Sequence, residues 1–394
     1  MNTQFLCADI GTSSLKAAII DNGQVLAQER IRFSQSISTN TWFDALKEAF
    51  FLIKKKLPVK ELGGISLSGN GPTLIANNTI LLWNSLKSSV EYSGPSIFMP
   101  RILTLKNLFN KNFDSVSTIF SGPEFLAFQL TGEKFTVLPE KKYEQHYWTR
   151  KILSQYAIDS NMFPPFISPT QQFGVVKKDI LEILSLPIQS KIPVFCTGPD
   201  FIAALIGSNT LKPGVALDRA GTSEGINLCS LHPLQHNSIR NLPSMHHEYT
   251  NSSILIPNTG ALFSNIKESK EYKNLSYDQT VVKILNTKNS PDKQIIDSIL
   301  KKLAEGFSLL QKESAKAGNP LLSDICLSGG QASNKLWCQL KCNALQIPLT
   351  ISNSLNTELI GDYIVALTGL KQFSSILQGA DILVKKQIIY EPKN

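Results

Sequence analysis

Apolar and polar positions along the chain alternate between two periods. Residues 5–33, FLCADIGTSSLKAAIIDNGQVLAQERIRF, read as short strands broken at Gly11 and at Asp21-Asn22-Gly23. An Asn-Gly pair between apolar runs predicts a hairpin. From Trp42 to Leu57 the period is helical, with Leu46, Ala49, Phe50, Ile53 and Leu57 in phase and Pro58 as the stop. GGISLSGNG at 63–71 predicts a short buried strand ending in glycines, and the stretch from about 100 to 190 is more helical, with stops at Gly132, Pro164-Pro165 and Pro187. A second half begins near Ile192. IPVFCTG is a strand, PDFIAALIG a helical start, and VALDRAGTSEGINLCS a strand, a glycine turn and another strand. Beyond a polar stretch at about 264–292, Ile295 to Ala317 predicts a long amphipathic helix stopped by Gly318-Asn319-Pro320. DICLSGG, ASNKLWCQLKCNALQ, IPLTIS and ELIGDYIVALTGL then read as strand, helix, strand and helix. This alternation predicts α/β layers around a largely parallel sheet.

The two halves echo each other. DIGTS at 9–13 returns as DRAGTS at 218–223, and ISLSGN at 65–70 returns as ICLSGG at 325–330, in the same order. The pattern predicts a duplicated α/β unit, divided into 1–190 and 191–394, with the two glycine turns facing each other across a ligand-binding cleft.

Composition narrows the classes. The 394 residues are 42% hydrophobic and 18% charged, an ordinary globular balance. The 39 Lys and Arg exceed the 31 Asp and Glu to give +8, but the positive residues are scattered pairs such as Lys141-Lys142 and Lys301-Lys302. That pattern argues against a nucleic-acid partner and is compatible with a small polyanion. No apolar run reaches the ~18 residues of a membrane span, no secretory signal is evident at the start, and the six cysteines contain no CxxC. A cytoplasmic protein with reduced cysteines is expected.

The candidate chemistry lies in the repeated turns. Gly11, Thr12 and Ser13 present backbone N–H groups and hydroxyls suited to phosphate oxygens; the same residues also suit an ordinary hairpin turn. Asp9 is a candidate for Mg²⁺ held through water, and Lys16 adds a positive charge. Gly221, Thr222 and Ser223 form the matching turn. In SGGQASN at 328–334, Gly329 and Gly330 permit close backbone approach to a flat ligand and Asn334 has a carboxamide for a base edge; packing of a strand-to-helix turn would require glycine as well. Asp200, between a strand and a helix, reads either as a helix N-cap or as a general base. There is no P-loop and no GxGxxG.

Several segments resemble the FGGY family of carbohydrate kinases, especially its xylulokinase-like branch, and hence the actin-like ATPases. They are ADIGTSSLKAAIID at 8–21, LLWN at 81–84, FLAFQLTGE at 125–133, TGPDFIAALIG at 197–207, AGTS at 220–223, NTGALF at 258–263, LAEGF at 303–307, SGGQASNKLWCQL at 328–340 and ELIGDYIVAL at 358–367. The resemblance implies two duplicated actin-like (ribonuclease H-like) domains flanking a nucleotide and sugar cleft, with ATP and Mg²⁺ used to phosphorylate a sugar or polyol. It implies Asp200 as the general base, which also touches the sugar, and Asp9 as the residue that places Mg²⁺. Thr12, Ser13, Gly221, Thr222 and Ser223 would then hold the phosphates, Gly330 and Asn334 the adenosine, and Asn70 would stand at the sugar. A homodimer stays open.

The sugar side departs from the family pattern. Asn70-Gly71-Pro72 replaces Gln-Met-His, Ser85 and Lys87 replace an Asp and an Arg, Thr136-Val137 replaces Thr-Asp, and GPDF replaces a GGDN-like turn. The stretch 264–292 lacks a Gly-Glu-Arg-Thr-Pro motif. A degenerate member that binds nucleotide or sugar without turnover is therefore the alternative expectation.

Overall fold

A computed structural model describes residues 4–34, 37–85, 92–287 and 290–393. Lys87 and residues 288–289 of the polar stretch lie outside the described residues. The first half of the chain runs β1 (Phe5–Ile10), β2 (Ser14–Asp21), β3 (Gln24–Arg32), α1 (Thr41–Lys56), β4 (Gly64–Gly69), β5 (Leu74–Ala76), β6 (Thr79–Leu81), α2 (Met99–Phe109), β7 (Ile119–Ser121), α3 (Gly122–Thr131), β8 (Thr136–Val137), α4 (Glu144–Tyr147), α5 (Arg150–Gln155), β9 (Phe166–Ile167), β10 (Gly174–Val175), α6 (Lys178–Ile183), β11 (Pro193–Pro199) and α7 (Asp200–Gly207). The second half runs β12 (Val215–Ala220), β13 (Glu224–Ser230), β14 (Arg240–Leu242), β15 (Thr250–Ile256), α8 (Thr259–Glu268), α9 (Tyr277–Asn286), α10 (Pro291–Lys316), β16 (Asp324–Ser328), α11 (Lys335–Leu345), β17 (Leu349–Ser352), α12 (Thr357–Gly369), α13 (Ile376–Leu383) and β18 (Lys386–Tyr390).

Packing divides these elements into one unit of residues 1–207 and 358–383 and another of 208–357 and 384–394. Compared with a division at 190/191, β11 lies with the first unit because it pairs in parallel with β4. α12 also returns to it, so close to α7 that a Cβ on Gly361 would stand 1.9 Å from the Ala203 carbonyl oxygen.

The first unit is built on a sheet of order β10-β11-β4-β1-β2-β3. Its central pairs β1·β4 and β4·β11 are parallel, whereas the hairpin strands β2 and β3 and the edge strand β10 are antiparallel. The sheet is therefore mixed, because tight turns after β1 and β2 return the chain beside the strand it has just left. Asn22 and Gly23 have φ of 48° and 74°, the left-handed pair that a two-residue hairpin turn requires. Trp42, Leu46, Phe50 and Ile53 of α1 bury against Leu6, Ala8, Ile65 and Leu67 in one core, each large side chain contributing roughly 1.5–3 kcal/mol.

In the second unit the order is β14-β15-β13-β12-β16-β17-β18. Ile325, Leu327 and Leu349 join a core with Leu303, Phe307 and Leu310 of α10 and Trp337 and Cys338 of α11. α10 begins at Pro291, ahead of Ile295, because the Ser290 hydroxyl caps it by accepting from Lys293 N–H at 3.1 Å. The polar stretch holds α9, started by a capping box of Ser276 and Gln279. All six cysteines are free and buried. No described helix is long and apolar enough to cross a membrane.

The repeat is a repeat of topology. β1 pairs antiparallel with β2 and parallel with β4, and β12 pairs antiparallel with β13 and parallel with β16. Register adds a detail that the motifs conceal. Asp9 lies beside Ser68, and the second-half residue beside the matching Ser328 is Arg219. The extra residue in DRAGTS displaces Asp218 by one position, and in a strand one position is the opposite face.

Candidate active site

In the first unit, β1, β4 and β11 stop at one level: Ile10 lies beside Gly69, and Gly69 beside Pro199. The residues that follow, Gly11, Asn70 and Asp200, therefore share one edge of the sheet. Gly198 has φ of 83° and sits at a register irregularity in β11, so the strand swings there and delivers Asp200 as the first residue of α7.

The turn after β1 is closed by Gly11 N–H donating to the Ser14 carbonyl at 2.9 Å. The Thr12 and Ser13 side chains project from it and are exposed. Thr12 Oγ1 accepts from Asn70 Nδ2 at 3.1 Å and from Trp83 Nε1 at 2.8 Å. Asp9, 4% exposed, has a contact at each carboxylate oxygen: Oδ2 pairs with Lys16 Nζ at 3.2 Å, and Oδ1 lies 3.4 Å from the Ser68 hydroxyl, whose one hydrogen it shares with the nearer Asp362 at 2.9 Å. Lys16 also reaches Glu358 Oε2 at 3.2 Å. Burial raises the Asp9 pKa, Lys16 pulls it back, and the charges of Glu358 and Asp200 raise it further. Burial works against the Lys16 ammonium, yet Glu358 and Asp9 outweigh it and hold the proton more firmly than usual.

Sequence reasoning missed Glu358 and Asp362. They lie four residues apart in α12, on one helix face, inside an otherwise apolar segment; that spacing was the available signal. Asp362 is fully buried and accepts from the Thr197 hydroxyl at 2.6 Å and the Ser68 hydroxyl at 2.9 Å. Burial pushes its pKa well above the carboxylate range. Through Ser68, which touches Asp9 and Asp362 alike, α12 is tied to the edge that carries the candidate residues.

In the second unit, Gly221, Thr222 and Ser223 link β12 to β13. Gly221 N–H donates to the Ser223 carbonyl at 3.1 Å, and Ala261 N–H to the Thr222 carbonyl at 3.0 Å. Asn258 N–H donates to Ser223 Oγ at 3.0 Å, so the start of α8 pins the turn. Gly329 and Gly330 differ in kind. Gly329 has φ of 88°, and a Cβ there would stand 2.5 Å from the Ala220 carbonyl oxygen; Gly330 has nothing within 4 Å. Close backbone packing requires the first glycine, while the second is open and exposed. Asn334 caps α11, its Oδ1 accepting from Trp337 N–H at 2.8 Å, and its buried Nδ2 has no partner among the described residues.

Behind these turns lies a cluster that the motifs did not announce. Lys341, Asp218 and Glu224 are each 0% exposed, with Lys341 Nζ 3.0 Å from Asp218 and 2.5 Å from Glu224. Burial raises the Asp218 pKa, against the pull of Lys341 and with the push of Glu224. Gln331 Nε2 donates to Glu224 at 3.3 Å, and Gln331 Oε1 accepts from the Trp337 indole at 2.6 Å. The cluster thus couples the β12–β13 turn to the Gly329-Gly330 segment. Asp218 serves here, on the face opposite to the position equivalent to Asp9. Among the described residues no group of His, Cys, Asp and Glu is arranged to hold a metal ion by itself.

Residues 282–370 match the model of the FGGY family of carbohydrate kinases, C-terminal domain. Over 263 residues the chain is 26% identical to a xylulose kinase from Lactococcus lactis subsp. lactis (strain IL1403), covering 56% of this chain and 52% of that protein. It spans about half the length of the curated relatives it matches. A ligand-bound xylulose kinase from Lactobacillus acidophilus superposes with a TM-score of 0.81 at 16% identity, over 99% of this chain and 94% of that one. A gluconate kinase from the same organism gives the same TM-score, identity and coverage. These likenesses establish a common fold, and the two different sugars named show that the fold leaves the substrate open.

Proposed function

We propose that the chain is a member of the FGGY family of carbohydrate kinases, whose C-terminal domain model matches residues 282–370, and that it transfers the γ-phosphoryl group of ATP to a hydroxyl of a sugar or polyol, with a xylulose-like ketose as the first candidate. The observation that carries this reading is the common level of β1, β4 and β11, which assembles Asp9, Thr12, Asn70 and Asp200 on one edge of the first sheet.

In this reading the acceptor oxygen attacks the γ-phosphorus, the bond to the ADP oxygen breaks, and the acceptor proton passes to the Asp200 carboxylate. The hydroxyls of Thr12 and Ser13, with Gly221, Thr222 and Ser223, bind phosphate oxygens. Lys16 pairs with both Asp9 and Glu358 and offsets part of their negative charge beside the first turn. Gly329 and Gly330 present backbone to the adenosine, and Asn334 Nδ2 is the donor still available there. Mg²⁺ supplies charge neutralisation when bound with ATP. Both Asp9 oxygens already have partners, so a contact through water is the one that fits. Six buried free cysteines agree with the cytoplasm as the compartment.

A coupled assay with MgATP across pentoses, ketoses, hexoses and polyols tests the reading. Turnover of one acceptor, abolished in a folded Asp200→Ala variant, is expected. A panel with no turnover above that variant overturns it, and tight MgATP binding in the same protein would point to a nucleotide-binding regulator.

A further inference from the structure

The turn after β1 holds a hydroxyl whose hydrogen-bond directions are all set by its neighbours. Thr12 Oγ1 accepts from the Trp83 indole and from Asn70 Nδ2. Asn70 Oδ1 accepts from the Thr73 hydroxyl at 3.1 Å, and Thr73 Oγ1 accepts the main-chain N–H of Trp83 at 3.1 Å. An indole N–H and a main-chain N–H can only donate, so both contacts of Trp83 run one way.

The remaining freedom is the orientation of the Asn70 carboxamide. Turned over, it would donate to Thr73 and leave the Thr73 hydroxyl hydrogen, at 0% exposure, with no acceptor among the described residues. A buried donor left unpaired costs about 1–3 kcal/mol. The relay therefore runs from the Trp83 main chain through Thr73 to Asn70, and from Asn70 to Thr12. The segment that carries Trp83 is anchored in turn, because the Arg101 guanidinium donates to the carbonyls of Trp83 and Ser85.

Both acceptor positions of the Thr12 oxygen are filled, so the exposed Thr12 has one function left to offer, its own O–H. The atom that meets it must be an acceptor. A phosphoryl oxygen, which has no hydrogen, fits that demand; a sugar hydroxyl fits only in one of its orientations.

We propose that Trp83, Thr73 and Asn70 position the Thr12 hydroxyl as a one-way hydrogen-bond donor to a phosphoryl oxygen of the nucleotide, and that Asn70 serves the phosphate turn rather than the sugar. The proposal rests on the kinase reading above and names a task for side chains outside the repeated turns. Trp83 and Thr73 are positioning residues, acting through Asn70 and Thr12.

Calorimetric titration of the full chain with MgATP, MgADP and adenosine tests it, each variant first being checked for an unchanged melting temperature. Thr12→Val should weaken MgATP and MgADP about tenfold, the loss of one hydrogen bond to a charged group, and leave adenosine unchanged. Thr12→Ser should stay within about twofold of the parent. Trp83→Phe removes the indole N–H that fills one acceptor position of the Thr12 oxygen, and Thr73→Val keeps the side chain's shape while removing the hydroxyl that orients Asn70; each should weaken MgATP about threefold or more, again with adenosine unchanged. If Thr12→Val weakens MgATP while Trp83→Phe and Thr73→Val do not, the relay is idle and the proposal fails. If Trp83→Phe weakens MgATP and adenosine alike, its role is structural and the proposal fails. A parent protein that binds neither nucleotide nor adenosine overturns the kinase reading itself, an outcome distinct from both.

Discussion

Replacing Glu124 by Gln should change how stability depends on pH. Glu124 lies in the first turn of α3 and is 1% exposed. Its Oε1 accepts the Val137 main-chain N–H at 3.0 Å, and its buried Oε2 has no partner among the described residues. Burial raises its pKa from 4.5 to about 7, against the opposing pull of the hydrogen bonds from the Val137 and Glu124 main chain. The folded state thus holds the proton more tightly than the unfolded one. The stability this contributes is complete below about pH 4.5 and is lost as pH rises through about 7. The slope is at most about 1.4 kcal/mol per pH unit, and the gap between the two values is worth about 3 kcal/mol in all. Gln fills the same volume, keeps an oxygen for Val137, and has no proton to lose. Urea unfolding of both proteins from pH 4.5 to 8 reads the difference. Asp9, Asp218 and Asp362 are also raised by burial and tilt both curves alike, so the difference belongs to Glu124. The variant should be about as stable as the parent at pH 4.5 and the more stable by about 3 kcal/mol at pH 8. Parallel curves would refute the reasoning.

Further outcomes follow from the second unit. Lys341→Met leaves Asp218 and Glu224 buried without their cation and should cost about 3–5 kcal/mol in urea unfolding, most of it recovered when all three residues are made apolar; a single variant as stable as the parent would contradict this. Gly329→Ala must place a Cβ 2.5 Å from the Ala220 carbonyl oxygen at φ of 88°, and a loss of about 1–3 kcal/mol is expected. Gly330→Ala, with nothing within 4 Å, should stay within about 0.5 kcal/mol; equal thermal shifts for the two variants would show that the close approach does not matter.

Much of the fold was legible because its signals are local. Asn22-Gly23 marks its own hairpin, Gly132 ends α3 with φ of 83°, and the duplicated motifs announce paired topologies. The division into units was less so. A chain that leaves the first unit at 207 and returns at 358 carries no punctuation for it, since α12 reads as one more apolar helix. The site divides along the same line. Asp9, Thr12 and Asp200 stand in recognisable motifs at strand ends, where backbone geometry makes them visible. Glu358, Asp362 and Lys341 act through partners 117 to 342 positions away in sequence, and no window along the chain contains both members. Asn70 was visible but its direction was not, because only the positions of Thr73 and Trp83 decide which way a carboxamide faces.

The excursion of α12 and α13 into the first unit has a consequence for the order in which the protein is made. A ribosome completes β1, β4 and β11 long before it adds residue 358. Until then Lys16 lacks Glu358, and the hydroxyls of Ser68 and Thr197 lack the Asp362 carboxylate they donate to. The first unit to be translated is therefore finished after most of the second, and its nascent form stays incomplete while residues 208–357 are added. A fragment ending at residue 207 would lack the helix that locks its polar edge.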